Sequence, residues 1–303
     1  MGDMLEGRII RGIGGFYYVS TDDGELYECR AKGLFRKEGT KPLVGDICLM
    51  TPVEESDPDP DALPVGNITK ILPRKSELLR PAVANVDQAL IIFALTSPEP
   101  NFGLLDTFLL RMELSNLPVI IAFNKLDMDQ SGSLERQIRD IYETTGYELV
   151  FCSAADGSGT DRLRKRLKGK CTTVAGPSGV GKSSLINLLQ ANVRMETSRI
   201  SEKTRRGRHT TRHSELIPLT EGGYICDTPG FTSLGIDEFE KEDIAKGFRE
   251  IGRWQEECRF AGCSHIAEPD CRVKEKVAVG EISRVRYESY VRMYGECRNR
   301  KRF

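Results

Sequence analysis

The chain has 303 residues, 39% hydrophobic and 29% charged, a balance that argues against a disordered or fibrous protein and leaves room for two or three packed domains. Lys and Arg number 44 against 45 Asp and Glu, so a formal net charge of -1 gives no overall basicity to draw nucleic acid. The charge is uneven, however: residues 272–303 hold ten Lys or Arg against four Glu, whereas 54–61 is an acidic Pro-Asp segment. The opening residues lack the basic and apolar regions of a signal peptide, and no apolar run approaches the roughly 18 residues of a membrane span. A cytoplasmic protein without a membrane partner is expected. In that compartment nine cysteines favour a metal cluster over disulfides.

Short β-like runs at 7–19, 26–30, 46–50 and 67–72, punctuated by glycine, predict a small barrel over residues 1–73. An OB-like β-barrel fits the length and strand count, and such barrels bind RNA or single strands on exposed strands. An SH3-like barrel fits nearly as well. The Pro-Asp stretch inside this module reads as a solvated loop.

From residue 86 strand and helix alternate: strand 86–94, helix 104–114, strand 118–123, helix 134–142, strand 148–151, strand 171–175, helix 184–189 and strand 223–226. This pattern predicts a parallel α/β sheet covered by helices over residues 74–235. Beyond about 235 the chain turns helical and cysteine-rich, with Ile244, Phe248, Ile251 and Trp254 on one apolar face and Ile282, Val285, Tyr290 and Tyr294 on another. Residues 236–303 therefore form a third predicted domain.

Three nucleotide motifs sit at the ends of these strands, where open α/β sheets place their ligands. Gly176-Pro177-Ser178-Gly179-Val180-Gly181-Lys182-Ser183, followed by Ser184, is a Walker A loop. Its amides wrap phosphates, Lys182 reaches the β and γ oxygens, and Ser183 ligates magnesium. Asn124-Lys125-Leu126-Asp127 reads guanine: a carboxylate pairs with two donors that adenine lacks, Lys125 stacks its stem over the base, and Asn124 ties the two loops together. Cys152-Ser153-Ala154 supplies the backbone amide for the guanine carbonyl oxygen. Asp227-Thr228-Pro229-Gly230 closes the γ-phosphate side, with Asp227 on magnesium through water and the Gly230 amide on the phosphate. The base motif precedes the phosphate loop, the reverse of ordinary small GTPases. Because domain termini often lie close together, the fold tolerates rejoined ends, and the chain reads as a circularly permuted P-loop GTPase domain.

Phe231 stands where small GTPases carry the glutamine that positions the attacking water, so intrinsic hydrolysis should be slow. Between the phosphate loop and Asp227 runs a basic stretch, residues 203–213, in which Thr210 and Thr211 are candidates for the magnesium and γ-phosphate contact. His209 is either the water-positioning group or a loop histidine without catalytic duty. The basic run is either a solvated loop or a segment that meets RNA phosphates. Cys258, Cys263, His265 and Cys271 lie within fourteen residues and offer a tetrahedral Cys3His zinc set, closed to catalysis. Cys29, Cys48, Cys152, Cys171, Cys226 and Cys297 read as structural.

The permuted order, the Gly-Pro-Ser-Gly-Val-Gly-Lys-Ser-Ser loop, Arg208-His209-Thr210-Thr211, Asp227-Thr228-Pro229-Gly230-Phe231 and the Cys3His set closely resemble the RsgA (YjeQ) family of bacterial GTPases. The resemblance spans nearly the whole chain. It implies a multidomain α/β protein with an all-β N-terminal module and a small zinc-binding helical C-terminal domain, using GTP/GDP, Mg2+ and Zn2+. It also implies a monomer that acts late in assembly of the small ribosomal subunit, binds that subunit and its rRNA, and hydrolyses GTP faster when bound. A nucleotide-gated RNA-binding module with incidental hydrolysis is the other reading. The acidic segment after Pro52 is not explained by the resemblance.

Overall fold

A computed structural model describes residues 4–31, 35, 41–53, 62–79, 82–190, 214–227 and 239–299. The chain forms two compact units, Met1–Asp87 with Leu167–Val174 and Leu189–Phe231, and Gln88–Arg166 with Ala175–Leu188 and Thr232–Phe303.

The first unit opens with strands β1 (Leu5–Ile13), β2 (Phe16–Thr21), β3 (Leu26–Ala31), β4 (Ile47–Pro52) and β5 (Val65–Ile71). β1 pairs antiparallel with β2 and β4, β2 with β3 and β4 with β5, while β3 runs parallel to β5; these pairings close a five-stranded OB-like barrel. Ile9, Val19, Tyr27, Cys29, Phe35, Cys48, Met50 and Ile68 fill it. The single run expected at 7–19 is in fact a hairpin. Gly14 and Gly15, with φ of 61° and 89°, take the two left-handed positions of a tight turn that suits the right-handed twist of its strands. At the barrel exit Arg74 forks onto the buried Asp46, with Nε to Oδ1 at 2.7 Å and an amine to Oδ2 at 2.8 Å. The hairpin β6 (Glu77–Leu79) and β7 (Ala82–Ala84) follows.

The second unit begins with β8 (Gln88–Ala94), and then alternates α1 (Phe102–Leu114), β9 (Val119–Asn124), α2 (Ser133–Tyr142), β10 (Glu148–Phe151) and α3 (Thr160–Leu167). β8, β9 and β10 are parallel, with Phe93 opposite Phe123 and Phe123 opposite Phe151. β8 is buried along its length, as a strand covered on both faces requires. Asn101 caps α1 by accepting from the Leu104 amide at 3.0 Å. β11 (Cys171–Ala175), a strand of the first unit as far as Val174, leads into the phosphate loop and α4 (Lys182–Leu189). Returning to the first unit, β12 (Glu215–Pro218) pairs antiparallel with β13 (Tyr224–Asp227), which lies parallel to β11.

The C-terminal part of the second unit contains α5 (Lys241–Lys246), α6 (Arg249–Gly252), α7 (Arg272–Ala278) and α8 (Arg284–Asn299). Ile244, Phe248, Ile251, Ile282, Tyr290 and Met293 share one core with Leu110 of α1. A buried charge cluster crosses the same seam. The fully buried Arg286 donates to Asp106 of α1 at 2.5 Å and to Glu250 of α6 at 2.7 Å, and the Tyr142 hydroxyl donates to Asp106 at 2.8 Å. Burial pulls the Arg286 guanidinium down, but the two carboxylates more than reverse this and hold it charged. Arg249 pairs with Glu113 at 2.6 Å and lies over the Tyr147 ring. The helical C-terminal part is therefore packed onto α1 rather than tethered to it. No helix among the described residues is long and apolar enough to cross a membrane.

Candidate nucleotide site and metal centre

The loop 176–181 leaves β11 at a buried Gly176 and enters α4 at Lys182, with Ser178, Gly179, Ser183 and Ser184 exposed. Gly181 has φ of 86°, and a side chain there would run into the Asn124 amide nitrogen, so both conformation and space demand glycine. The Lys182 ammonium donates to the carbonyls of Gly176 at 2.9 Å and Pro177 at 2.6 Å, which holds the cation over its own loop. The Ser183 hydroxyl lies exposed in the first helical turn, which suits a magnesium ligand, and the exposed loop offers backbone amides to phosphate.

Asn124, buried at the end of β9, is the junction of the site. Its amide group donates to the Val180 carbonyl at 2.8 Å, and its oxygen accepts from the Ala154 amide at 2.9 Å. One side chain thereby fixes the phosphate loop against both base loops. Lys125 takes a left-handed conformation, φ 67°, and its ammonium donates to the carbonyls of Gly179, at 3.1 Å, and of Ser97. Asp127 sits exposed in a 3-10 turn, Leu126–Met128. Its Oδ1 accepts from the buried Ser153 hydroxyl at 2.6 Å, so the carboxylate is held by one oxygen while facing solvent. Cys152 is buried, and burial pushes its thiol up to about 12, consistent with an inert packing role.

Sequence reasoning gave Ser153 only a backbone duty and gave Ser97 none. Their side-chain and carbonyl contacts span 26 and 28 residues, separations at which no local pattern signals a partner. Asp227 is the last residue of β13. Its side chain, and all of His209, Thr210, Thr211, Gly230 and Phe231, lie outside the described residues, as do 54–61.

The four candidate zinc ligands converge. Their donor atoms all lie within 4.8 Å of one another, with the Cys258 and Cys271 sulfurs 3.8 Å apart and each 3.5 Å from His265 Nδ1. Tetrahedral ligands of a zinc ion lie about 3.5–3.8 Å apart, given zinc–ligand bonds of about 2.0–2.3 Å, so this set fits zinc. Burial pushes the Cys263 thiol up to about 12 and lowers His265 toward its neutral, ligating form. A metal ligand must be the thiolate, so a bound cation would have to displace that proton. The knuckle is braced from outside: Tyr287 and Tyr290 donate to the carbonyls of His265 and Ser264 at 2.7 and 2.8 Å, and Glu268 accepts from the Ser264 hydroxyl and amide. Those bonds hold the Glu268 carboxyl down at about 2.

The model of the RsgA GTPase family matches residues 71–237, and that of the RsgA N-terminal domain matches 6–57. Small ribosomal subunit biogenesis GTPase RsgA of Agathobacter rectalis is 50% identical, covering 99% of this chain and 100% of its own. The protein of the same name from Caldanaerobacter subterraneus subsp. tengcongensis is 48% identical, covering 99% and 98%. Among solved structures, YloQ, a circularly permuted GTPase, is 34% identical with a TM-score of 0.79, covering 99% of this chain and 97% of its own. YjeQ from Thermotoga maritima is 35% identical with a TM-score of 0.81, covering 99% and 100%. GTPases of this family use GTP, GDP and Mg2+. With the permuted motif order, the OB-like barrel and the Cys3His cluster on one chain, and with matches of this length, the chain belongs to the RsgA family of circularly permuted GTPases.

Proposed function

We propose that this protein hydrolyses GTP to GDP and phosphate while bound to the small ribosomal subunit and its rRNA, late in maturation of that subunit. It acts in the cytoplasm as a monomer, without a membrane partner. Residues 1–73 are the RNA-binding barrel, 74–235 the GTPase domain and 236–303 the zinc domain. The observation that carries the reading is the Asn124 junction, which ties the phosphate loop at Val180 to the loop of Ser153 and Ala154, in a chain whose relatives are named for small-subunit biogenesis.

Asp127 accepts from the ring N–H and exocyclic amine of guanine, Lys125 covers the base, and the Ala154 amide meets the guanine carbonyl oxygen. The amides of loop 176–181 after Pro177, among them those of Ser178, Gly179 and Val180, with that of Ser184 beyond the loop, cradle the phosphates, while Lys182 offsets charge on the transferred group. Ser183 and Asp227 hold magnesium. Thr210 or Thr211 and the Gly230 amide sense the γ-phosphate, and His209 positions the attacking water that Phe231 is unable to orient. Cys258, Cys263, His265 and Cys271 hold zinc.

Measuring GTP turnover with and without purified small subunits tests the reading. A rate that rises with added subunits supports it. Intact GTP and subunit binding with a flat, negligible rate would replace it by a nucleotide-gated RNA-binding module, the alternative that Phe231 keeps open.

A further inference from the structure

The exposed face of α3 is dense in cations. On α2, Arg139 pairs with Glu135 one turn away at 2.6 Å; on α8, Arg284 pairs with Glu288 and Arg292 with Glu296, each at 3.0 Å. Those cations are matched one to one by their own helix, the usual make-up of a solvated face. On α3, Arg164 likewise pairs with Asp161 of its own helix at 2.9 Å, but residues 162–170 hold six Lys or Arg and no Asp or Glu. Arg162, Lys165 and Arg166 occupy positions i, i+3 and i+4, which share one side of a helix, while Leu163 and Leu167 are buried.

Arg162 and Arg166 share one carboxylate, and it comes from another element. Glu148 of β10 accepts through Oε1 from Nε of Arg162 at 3.2 Å and from Nε of Arg166 at 2.8 Å. Both guanidiniums spend their inner nitrogen on the same oxygen, and both side chains stay 56% exposed. Among the described residues, neither pair of terminal amines is hydrogen-bonded to Glu148. Lys165 stands exposed beside them with no carboxylate partner among the described residues. Arg162, Arg164, Lys165 and Arg166 against Glu148 and Asp161 leave a net positive face. Folding stability is a poor reason for it, because exposed ion pairs contribute little and a second guanidinium repels the first. A planar fork with a free amine edge is, however, the donor geometry that phosphate oxygens match.

We propose that Arg162, Arg166 and Lys165 form a ridge that grips backbone phosphates of RNA, so that the GTPase domain itself meets the nucleic acid through α3. The proposal rests on the reading that small-subunit rRNA is the partner.

The test compares the parent with the triple variant Arg162→Gln, Lys165→Gln, Arg166→Gln in binding to purified small subunits across a salt series. GTP affinity and unstimulated turnover serve as controls and should not change. Subunit affinity should fall about tenfold or more, and the slope of log affinity against log salt should become shallower by about two to three, near one for each phosphate no longer gripped. Lysine at positions 162 and 166, with Lys165 kept, should restore the slope. A parent that binds and a triple variant with the same affinity and slope overturn the ridge alone. Weaker affinity with an unchanged slope overturns the phosphate assignment in favour of a protein contact. A parent that does not bind subunits overturns the ridge together with the reading beneath it.

Discussion

The Ser153 hydroxyl donates to Asp127 Oδ1 at 2.6 Å, and the same oxygen of Ser153 accepts from the Ala155 amide at 3.1 Å. The buried serine thus relays backbone order from the loop after β10 to an exposed carboxylate in the turn that follows β9. Ser153→Ala should weaken GTP and GDP binding alike, since both carry the base. A hydrogen bond to a charged group contributes about 1.5–3 kcal/mol, and exposure of Asp127 favours the lower end, so a loss of roughly tenfold in affinity is expected by calorimetry. Asp127→Asn should weaken GTP further and relax discrimination against xanthine nucleotides. Unchanged GTP affinity in both variants would place base reading elsewhere.

Lys182→Ala should reduce turnover by a factor of about a hundred or more, because fixed positive charge on a phosphoryl group is removed from a preorganised site. Phosphate release measured at saturating GTP checks this. Full turnover in the variant would remove the phosphate-loop assignment.

Stripping zinc with a chelator, or Cys263→Ser, should melt the knuckle 258–271 and loosen α7 and α8, since a structural metal contributes folding energy where it binds. Base binding should survive, because Asn124, Asp127 and Ser153 take no contact from the knuckle among the described residues. Zinc release should also steepen on acidification as the thiolates take up protons. Protein purified without chelator that carries no zinc by elemental analysis would end this assignment.

Arg286→Met should destabilise the seam between α8 and α1 by about 3–5 kcal/mol, because Asp106 and Glu250 would face each other buried and unpaired. Adding Asp106→Asn and Glu250→Gln should recover much of the loss by removing both charges. Hydrogen exchange of α8 amides is the readout. Equal exchange in the single and triple variants would show that charge is not what the cluster stabilises.

His209→Ala should lose most of the subunit-stimulated rate while keeping nucleotide affinity and subunit binding. Five cations in 203–213 repel one another until polyanionic RNA neutralises them, so the stimulated rate should also fall steeply with salt. A variant stimulated as strongly as the parent would leave His209 a loop residue.

The parallel strands β8 to β10 were legible because each is a long apolar run beside a turn signal, and the Gly14-Gly15 turn was missed because the flanking runs share one β-like pattern. α3 was not legible at all: Leu163 and Leu167 are its apolar positions, too few to set a period among so many charges. β12 was also missed, a four-residue strand ending in Pro218 whose identity comes from its partner β13.

The motifs, their permuted order and the Cys3His set were determined by sequence alone, because glycine conformation and ligand chemistry are properties of a few adjacent residues. Tertiary structure decided the rest: that Asn124 holds Val180 and Ala154 at once, that Arg286 meets an aspartate 180 residues away, and that Glu148 gathers two arginines of α3. Charges leave water, or crowd together at its edge, only when distant segments bring their partners to them, and no periodicity in the chain encodes that meeting.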